Sequence, residues 1–280
     1  MTEFDRSQII VGDSDQILPE MIREGQAFDL ILTDPPYNLN KDFGNGSDSL
    51  SFDEFIRLSR KRIENCSRLL SSSGSILWFG IHHYIGFQQV MMYEAGLYYR
   101  RMNIWRYQNG FSRSKKSPRG EYEPFLWFSK SPKDWTFNAD DVRVPYKSAE
   151  RLRNPVWYKD GQGRRRQWIP NPNGAMRGDV WEYPTLSGKN YAKERTEHPT
   201  QKPESLIVEM IKAFCPKNND GFYEGTILDP FLGSGTTMVA CERLNQQGHN
   251  IRCVGIELEQ KWVSIAEKRL RELRDNVPLI

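Results

Sequence analysis

The sequence predicts an α/β fold built on a mostly parallel sheet. Short apolar runs that end at an acidic residue alternate along the chain with segments of helical periodicity. One of these runs leads into a glycine-rich turn that opens a helix, over residues 230–237. The chain has 280 residues, which is enough for one large domain or for a domain with a sizeable insertion.

The first forty residues predict a β-α-β unit. A strand over residues 9–13 ends at Asp13, which can cap a helix through residues 17–22. The next run, 28–33, is apolar enough for a strand buried on both faces. Such units make parallel sheets that collect ligands at the carboxyl ends of their strands. Asp13 and Asp34 are therefore expected on one rim, although capping alone would also explain Asp13.

The stretch after the second strand is Asp34-Pro35-Pro36-Tyr37. Two prolines end the strand abruptly, because proline has no N–H, its φ is fixed, and Pro36 holds Pro35 out of the helical region. The stiff turn can present the Asp34 carboxylate and the Pro35 carbonyl as acceptors to an exocyclic amine, with Tyr37 as a stacking face. A site for an amine-bearing ring is predicted; a plain turn with an incidental acid is the alternative.

Regular elements continue on both sides of an irregular middle. Periodicity predicts helices over 53–70, 85–93, 204–214, 236–245 and 260–273, and strands over 75–79, 98–107, 124–128, 226–229 and 251–256. The polar loop 38–51 is a candidate mobile flap.

The middle of the chain is strongly basic. Residues 100–195 hold 21 Lys and Arg against 10 Asp and Glu, a net +11, and the remainder holds 18 against 26, a net −8, which together give the overall +3. Between residues 139 and 195, Arg and Lys side chains are mixed with aromatic side chains such as Trp157 and Trp181. This mixture favours a nucleic-acid-binding surface; the alternative is a solvated loop region whose aromatic residues form a small separate core. The basic residues predicted to bind nucleic acid are Arg113, Lys115, Lys116, Arg119, Arg151, Arg153, Arg164, Arg165 and Arg166.

The glycine-rich turn predicts a nucleoside-cofactor site. Gly233 and Gly235 allow close backbone approach to a ligand, and Glu257 at the tip of the next strand can accept from ribose hydroxyls. A phosphate-binding loop would need Gly-Lys-Ser/Thr, which is absent after Gly235, and a dinucleotide fingerprint would need Gly or Ala in place of Met238. Asp229 just before the turn repels phosphate and attracts an ammonium group. Ribose at one end and an amino acid at the other describe S-adenosylmethionine.

Other classes of protein are disfavoured. The four cysteines have neither metal-ligand spacing nor a framework pattern, which fits a reducing cytosol. No apolar stretch approaches the roughly 18 residues of a membrane span, and the amino end is too polar for a signal peptide. A cytoplasmic location is expected.

The ordered motifs together resemble the β class of S-adenosylmethionine-dependent DNA amino-methyltransferases, which act on adenine N6 or cytosine N4. In that class an Asp-Pro-Pro-Tyr block precedes the target-recognition region and a Phe-x-Gly-x-Gly block follows it, as residues 34–37 and 231–235 do here. Residues 198–203 also match the class. The resemblance implies a Rossmann-like, mostly parallel, seven-stranded sheet, circularly permuted. Its catalytic half would be 1–138, an irregular target-recognition insertion 139–195, and its cofactor-binding half 196–280.

The resemblance also implies residue roles. Asp34, Pro35, Pro36 and Tyr37 would be catalytic, and Thr200 and Lys202 would approach the carboxylate of the cofactor. The full cofactor set is Asp13, Thr200, Lys202, Asp229, Phe231, Gly233, Gly235 and Glu257. Relatives often carry His-Glu where this chain has Tyr122-Glu123, so that pair has no assigned role.

The expected reaction is site-specific methylation of adenine N6 in double-stranded DNA by base flipping. Adenine is favoured because cytosine-N4 relatives often carry Ser in place of Asp34; cytosine N4 is the alternative within the family. RNA as substrate, a non-catalytic DNA-binding relative and a nicotinamide-dependent oxidoreductase are the other readings. Whether the chain forms a homodimer, and whether a separate cognate restriction endonuclease accompanies it, the sequence leaves open.

Overall fold

The computed structural model describes residues 6–39, 41, 48–109, 115–116, 118–154 and 156–275. The chain divides into two compact units. One combines residues 1–137 with residues 179–280, and the other is Asn138–Gly178. Apart from Asn138, the second unit falls in the predicted insertion 139–195, whose last part, from residue 179 on, belongs to the first unit.

The first unit is built on an eight-stranded sheet in the order β1-β10-β9-β2-β3-β5-β4-β8. Neighbouring strands are parallel except where β5 pairs with β3 and with β4. The strands are β1 (Ser7–Val11), β2 (Phe28–Thr33), β3 (Leu70–Phe79), β4 (Tyr98–Arg106), β5 (Tyr122–Ser129), β8 (Val180–Glu182), β9 (Glu224–Asp229) and β10 (Asn250–Glu257). The predicted mostly parallel sheet is thereby confirmed, with one strand more than the seven expected.

Among the described residues of the first unit, six α-helices accompany this sheet, and their apolar faces build its core. They are α1 (Ser14–Arg23), α2 (Phe52–Leu69), α3 (Ile85–Glu94), α5 (Glu204–Phe214), α6 (Thr236–Asn245) and α7 (Gln260–Asp275). Asp13 and Ser51 cap α1 and α2 with side-chain oxygens that accept backbone N–H groups, as helix starts require. Leu18, Ile63 and Ile76 lie fully buried in one continuous cluster, which fixes α1 and α2 against the sheet.

Strand order brings distant parts of the sequence together. β2 pairs in parallel with β9, with Leu30 opposite Ile227 and Ile31 opposite Leu228. Their carboxyl ends therefore meet at one edge, so that Asp34 follows one strand where Asp229 ends its neighbour. This is the permuted arrangement that the resemblance implied, with the catalytic strand first in sequence.

Two features of the first unit differ from the sequence-based expectation. Strand β3 begins at Leu70 rather than at residue 75, and Ser71 there donates to the Asp29 carboxylate at 2.9 Å. Trp181, expected on a nucleic-acid surface, lies on β8 and is 1% exposed, with its ring stacked 6.2 Å from that of Phe214. A three-residue edge strand is too short to show periodicity, so its pairing with β4 was not predictable.

The second unit holds the short helix α4 (Ala149–Arg153) and an antiparallel hairpin of β6 (Val156–Lys159) and β7 (Arg165–Trp168). Asp160 closes the hairpin turn, accepting the backbone N–H groups of Gln162 and Arg164 at 3.0 Å each. No described helix of either unit is long and apolar enough to cross a membrane.

Candidate active site

One cavity joins the two sequence motifs. Its walls are formed by the ends of β1, β2, β9 and β10 and by the start of α5, all in the first unit. Of the predicted residues it is lined by Asp13, Asp34, Pro35, Pro36, Tyr37, Thr200, Lys202, Asp229, Phe231, Gly233 and Glu257. The catalytic turn and the glycine turn therefore face a shared space, across which ligands bound to the two motifs could meet.

Asp34 is the centre of a hydrogen-bonded cluster. Its Oδ1 accepts from the Tyr37 hydroxyl, and its Oδ2 lies 2.5 Å from the Lys202 ammonium. The Glu123 carboxylate closes the cluster, with Oε2 3.1 Å from Lys202 Nζ and 3.2 Å from the Tyr37 hydroxyl. We call Asp34, Tyr37, Glu123 and Lys202 the acid cluster.

The acid cluster is partly shielded from water. The side chains of Lys202 and Asp34 are 7% and 20% exposed, and the Lys202 ammonium lies 5.1 Å from the centre of the Phe79 ring. Burial alone would lower the pKa of Lys202, but the carboxylates of Asp34 and Glu123 outweigh it, so the pKa is raised and the ammonium stays charged. Burial and the same two carboxylates raise the pKa of Tyr37, which therefore remains a hydroxyl donor.

Lys202 and Thr200 both line the cavity, and the Lys202 ammonium contacts Asp34 and Glu123. Their approach to the carboxylate of the cofactor stays a prediction. Glu123, which had no predicted role, is the fourth member of the cluster. Burial raises its pKa, and the Lys202 ammonium opposes that rise. Nothing in the sequence pairs positions 34, 123 and 202, because only the folded chain brings them together: Asp34 follows β2, Glu123 lies on β5 and Lys202 precedes α5.

The glycine turn after β9 needs glycine at two positions. Gly233 and Gly235 have φ of 55° and 82°, which other residues rarely adopt. A Cβ on Gly235 would lie 2.6 Å from the Ala266 Cβ, and one on Gly233 would lie 2.9 Å from His198 Nε2. The turn can therefore pack closely against α7 and His198 only without side chains.

Asp229 is a buried carboxylate at the head of this turn. It is 5% exposed and accepts from the Thr237 hydroxyl at 2.6 Å and from the Phe231 N–H at 3.1 Å. Burial raises its pKa to about 7, although both hydrogen bonds favour the ionised form. A buried acid with this pKa gains most from a cationic partner, which is what the ammonium group of an amino acid offers.

Glu257 and Asp13 complete the rim beside Asp229. The Glu257 carboxylate accepts from the N–H groups of Gly233 at 2.8 Å and Glu259 at 2.9 Å. Each oxygen keeps a lone pair, so the carboxylate can still accept from ribose hydroxyls. Asp13 accepts from the Asp15 N–H at 2.8 Å, so it caps α1 and also lines the cavity.

Two residues that the sequence did not single out also line the cavity. The Arg62 guanidinium pairs with Asp15 at 2.8 Å and lies 5.1 Å from the centre of the Phe231 ring, where it supports the glycine turn from α2. Burial lowers the pKa of His198 to about 4, so its ring is neutral at physiological pH. The motif match at 198–203 pointed to the segment of His198, whereas nothing in α2 marked Arg62.

The basic residues predicted to bind DNA are distributed over both units. In the hairpin, Arg164, Arg165 and Arg166 are exposed; Arg164 and Arg166 pair with Asp160, and the Arg165 guanidinium lies 4.7 Å from the centre of the Trp157 ring. Lys115, Lys116, Arg119 and Arg153 are exposed as well, with Arg119 paired to Glu121. Arg151 belongs to α4, and Arg113 lies outside the described residues.

Comparison with known proteins gives consistent matches. A family model described as "DNA methylase" matches residues 28–268. The type II methyltransferase M.HpaI of Haemophilus parainfluenzae is 35% identical over 249 residues, covering 88% of this chain and 69% of that protein. The DNA adenine methyltransferase YhdJ of Escherichia coli K12 is 30% identical over 262 residues, covering 94% and 82%.

Solved structures show the same fold. The crystal structure of an M1.HpyAVI–SAM complex superposes with a TM-score of 0.65 at 23% identity, covering 94% of this chain and 98% of that one. The cytosine-N4-specific PvuII DNA methyltransferase gives a TM-score of 0.65 at 15% identity, covering 96% and 90%. At these identities the likeness concerns the fold alone.

Proposed function

Because the chain belongs to the N6/N4 DNA methylase family, we propose that it transfers a methyl group from S-adenosylmethionine to the N6 amine of adenine at a specific site in DNA. The observation that supports this most is the shared cavity. An amine-binding turn lines one side of it, and a turn suited to an amino acid and a ribose lines the other.

The cofactor fits the residues of the glycine turn. Asp229 would hold the ammonium group, the backbone at Gly233 and Gly235 would accommodate the methionine end, and Glu257 would accept from the ribose hydroxyls. S-adenosylmethionine supplies a methyl group on a positively charged sulfur, and the electrons of the broken S–C bond return to that sulfur.

The residues of the catalytic turn prepare the amine. A duplex hides the N6 group, so the adenine must be flipped out at a cost of roughly a few kcal/mol. Acceptance of the two N–H groups by Asp34 and by the Pro35 carbonyl favours a pyramidal nitrogen whose lone pair is free to form the new N–C bond. The cationic nitrogen then gives up one proton, to Asp34 and from there to water. Positioning and charge supply the catalysis, and no covalent intermediate is needed.

Adenine is favoured over cytosine by the acid at position 34 and by the relationship to a protein named as an adenine methyltransferase. Methylation of cytosine N4 is the second candidate, since the family includes both. Double-stranded DNA is the proposed partner, and we expect the exposed basic and aromatic side chains of the hairpin to contact it. The four cysteines are free and buried, which suits the reducing cytoplasm that we propose as the location of the protein.

The test is modification-sensitive sequencing of DNA from a host that expresses the chain, with an Asp34→Ala variant as control. We expect N6-methyladenine at one sequence motif with the wild type and none with the variant. N4-methylcytosine at a defined motif would instead support the second candidate function, methylation of cytosine N4. Unmodified DNA, together with no transfer from labelled S-adenosylmethionine to DNA by the purified protein, would refute the methyltransferase function.

A further inference from the structure

The acid cluster contains a second carboxylate, that of Glu123, in addition to the Asp34 carboxylate that is proposed to bind the amine. Two carboxylates, Asp34 and Glu123, share one ammonium, that of Lys202, at 2.5 Å and 3.1 Å. Tyr37 donates to both carboxylates and is neutral. With both carboxylates ionised, the form that the adjacent Lys202 ammonium favours, the cluster carries a net charge of −1, and Glu123 supplies the negative charge that Lys202 cancels.

This net charge matters because methyl transfer moves a positive charge. The charge begins on the sulfur and ends on the amine nitrogen, beside Asp34. A net negative cluster stabilises that movement, and it does so strongly in a site where little water screens it. An isolated Asp34–Lys202 pair would be neutral, and its carboxylate would be a weaker acceptor for the amine.

We propose that Glu123 is a positioning residue that sets the charge of the active site: it takes a share of Lys202, so that Asp34 keeps its accepting power toward the target amine. The inference rests on the proposed methyl transfer and adds Glu123 and Lys202 to its machinery. Asp34 remains the group that touches the amine, and Glu123 acts through Lys202 and Tyr37.

The geometry supports a charge-setting role rather than an anchoring one. The Lys202 side chain is 7% exposed, and three aromatic rings surround its ammonium, those of Tyr37, Phe79 and Trp105, at 5.4, 5.1 and 5.6 Å. An apolar side chain of equal length would pack in this setting. Asp34 also has an anchor besides Lys202, because Tyr37 already holds its Oδ1. An ion pair is not required to hold Asp34 in place.

The test is a charge cycle on positions 123 and 202. Glu123→Gln makes the cluster neutral, Lys202→Met leaves two carboxylates that must share a proton, and the double variant restores −1 on Asp34 alone. We expect each single variant to slow single-turnover methyl transfer by about 100-fold: Glu123→Gln through the loss of one poorly screened charge, and Lys202→Met because the shared proton occupies accepting oxygens of the carboxylate pair. The double variant should recover to within about 10-fold of the wild type, since the charge is restored without the ion pair.

Two further measurements separate this role from a structural one. The dissociation constant for S-adenosylmethionine, measured by calorimetry, should change by less than about 3-fold in Glu123→Gln, whereas loss in the transfer rate is much larger. Without cofactor, Lys202→Met should melt at a lower temperature than the double variant, because it alone leaves two carboxylates, 20% and 22% exposed, without the ammonium that both contact in the wild type. A conservative variant, Glu123→Asp, should recover part of the single-turnover transfer rate that Glu123→Gln loses.

Glu242→Gln is the matched control. Glu242 is 14% exposed and pairs with Arg274 at 2.9 Å, away from the residues that line the cavity. It should leave the transfer rate unchanged. A double variant slower than either single variant would overturn the inference, as would a Glu123→Gln variant with the wild-type rate or one whose whole loss lay in cofactor affinity. If the wild type transfers no methyl group, the proposed function fails instead, and the melting temperatures still report on the cluster.

Discussion

The cavity of the first unit and the hairpin of the second unit both contain ion pairs between acidic and basic side chains, but those of the cavity are largely buried and those of the hairpin are exposed. In the acid cluster at the cavity, the largely buried Lys202 ammonium contacts the carboxylates of Asp34 and Glu123 within 3.1 Å. In the hairpin, Arg164 and Arg166 share Asp160 on a surface open to water, next to an exposed Trp157. Buried charges that are paired fix one geometry for chemistry, while exposed charges adapt to a polyanion at little cost.

The difference predicts where substitutions act. Changes in the cavity should affect the rate or the cofactor, with little dependence on salt. Changes in the hairpin should affect DNA affinity, and salt should modulate their effect strongly because phosphate contacts release counterions.

The largest effect is expected for Asp34→Ala. Removing this acceptor should lower single-turnover methyl transfer by about 1,000-fold, as loss of a preorganised electrostatic group does. The affinity for S-adenosylmethionine should stay nearly unchanged, because the proposed cofactor partners are Asp229 and Glu257 and not Asp34. A filter assay with labelled cofactor measures the rate, and calorimetry measures the binding. A variant that retained transfer would disprove the role given to Asp34.

Asp229→Asn should weaken cofactor binding and stabilise the protein without cofactor. The pKa of Asp229 is raised to about 7 in the folded chain, against an ordinary value of 3.8. Between these values the folded state holds a proton that the unfolded state has lost, so stability falls as pH rises from about 4 to about 7. Asparagine removes this loss and should raise the free energy of unfolding at pH 8 by up to about 4 kcal/mol.

The affinity of Asp229→Asn for S-adenosylmethionine should fall by about 100-fold, because the ammonium group loses its charged partner. In the wild type the same affinity should decline as pH drops below 7, where Asp229 takes up a proton. Denaturation and calorimetry at pH 6 and pH 8 measure both effects. Equal stability of the two proteins at pH 8 would show that Asp229 carries no buried charge there.

The elements around the cavity could be predicted from the sequence, but not the contacts within it. Strands such as β2 and β9 are apolar runs with clear ends, and the turns after them require Pro35, Pro36, Gly233 and Gly235 for steric reasons that are local. Local rules do not say that β2 pairs with β9, nor that Lys202 reaches Glu123, since those contacts join residues far apart in sequence.

The second unit shows the opposite balance. Its composition predicted a basic, aromatic surface, and Arg165 and Trp157 do lie together on the hairpin. Its elements are only four or five residues long, so neither strand of the hairpin shows a recognisable period. Composition also misplaced Trp181, because a buried aromatic and a stacking aromatic look alike when only the sequence is known.

A smaller effect is expected for the double change Trp157→Ala and Arg165→Ala. The Trp157 ring is 50% exposed and carries the Arg165 guanidinium on its face. Loss of both should weaken DNA binding about 10-fold and make its salt dependence shallower by about one unit of slope. Fluorescence anisotropy from 50 to 200 mM salt measures this. Transfer at saturating DNA should be unaffected; a lower saturated rate would place these residues in the chemistry.

The smallest effect is expected for Asp160→Asn, and it has the opposite sign. Asp160 now neutralises Arg164 and Arg166, while its oxygen also accepts two backbone N–H groups of the hairpin turn. Asparagine keeps an acceptor for the turn and removes the charge, so both arginines become available to phosphates. DNA affinity should rise by about 2- to 5-fold at low salt and the salt dependence should steepen. An unchanged affinity and slope would mean that the hairpin does not contact DNA, because any phosphate near these arginines would sense the lost carboxylate.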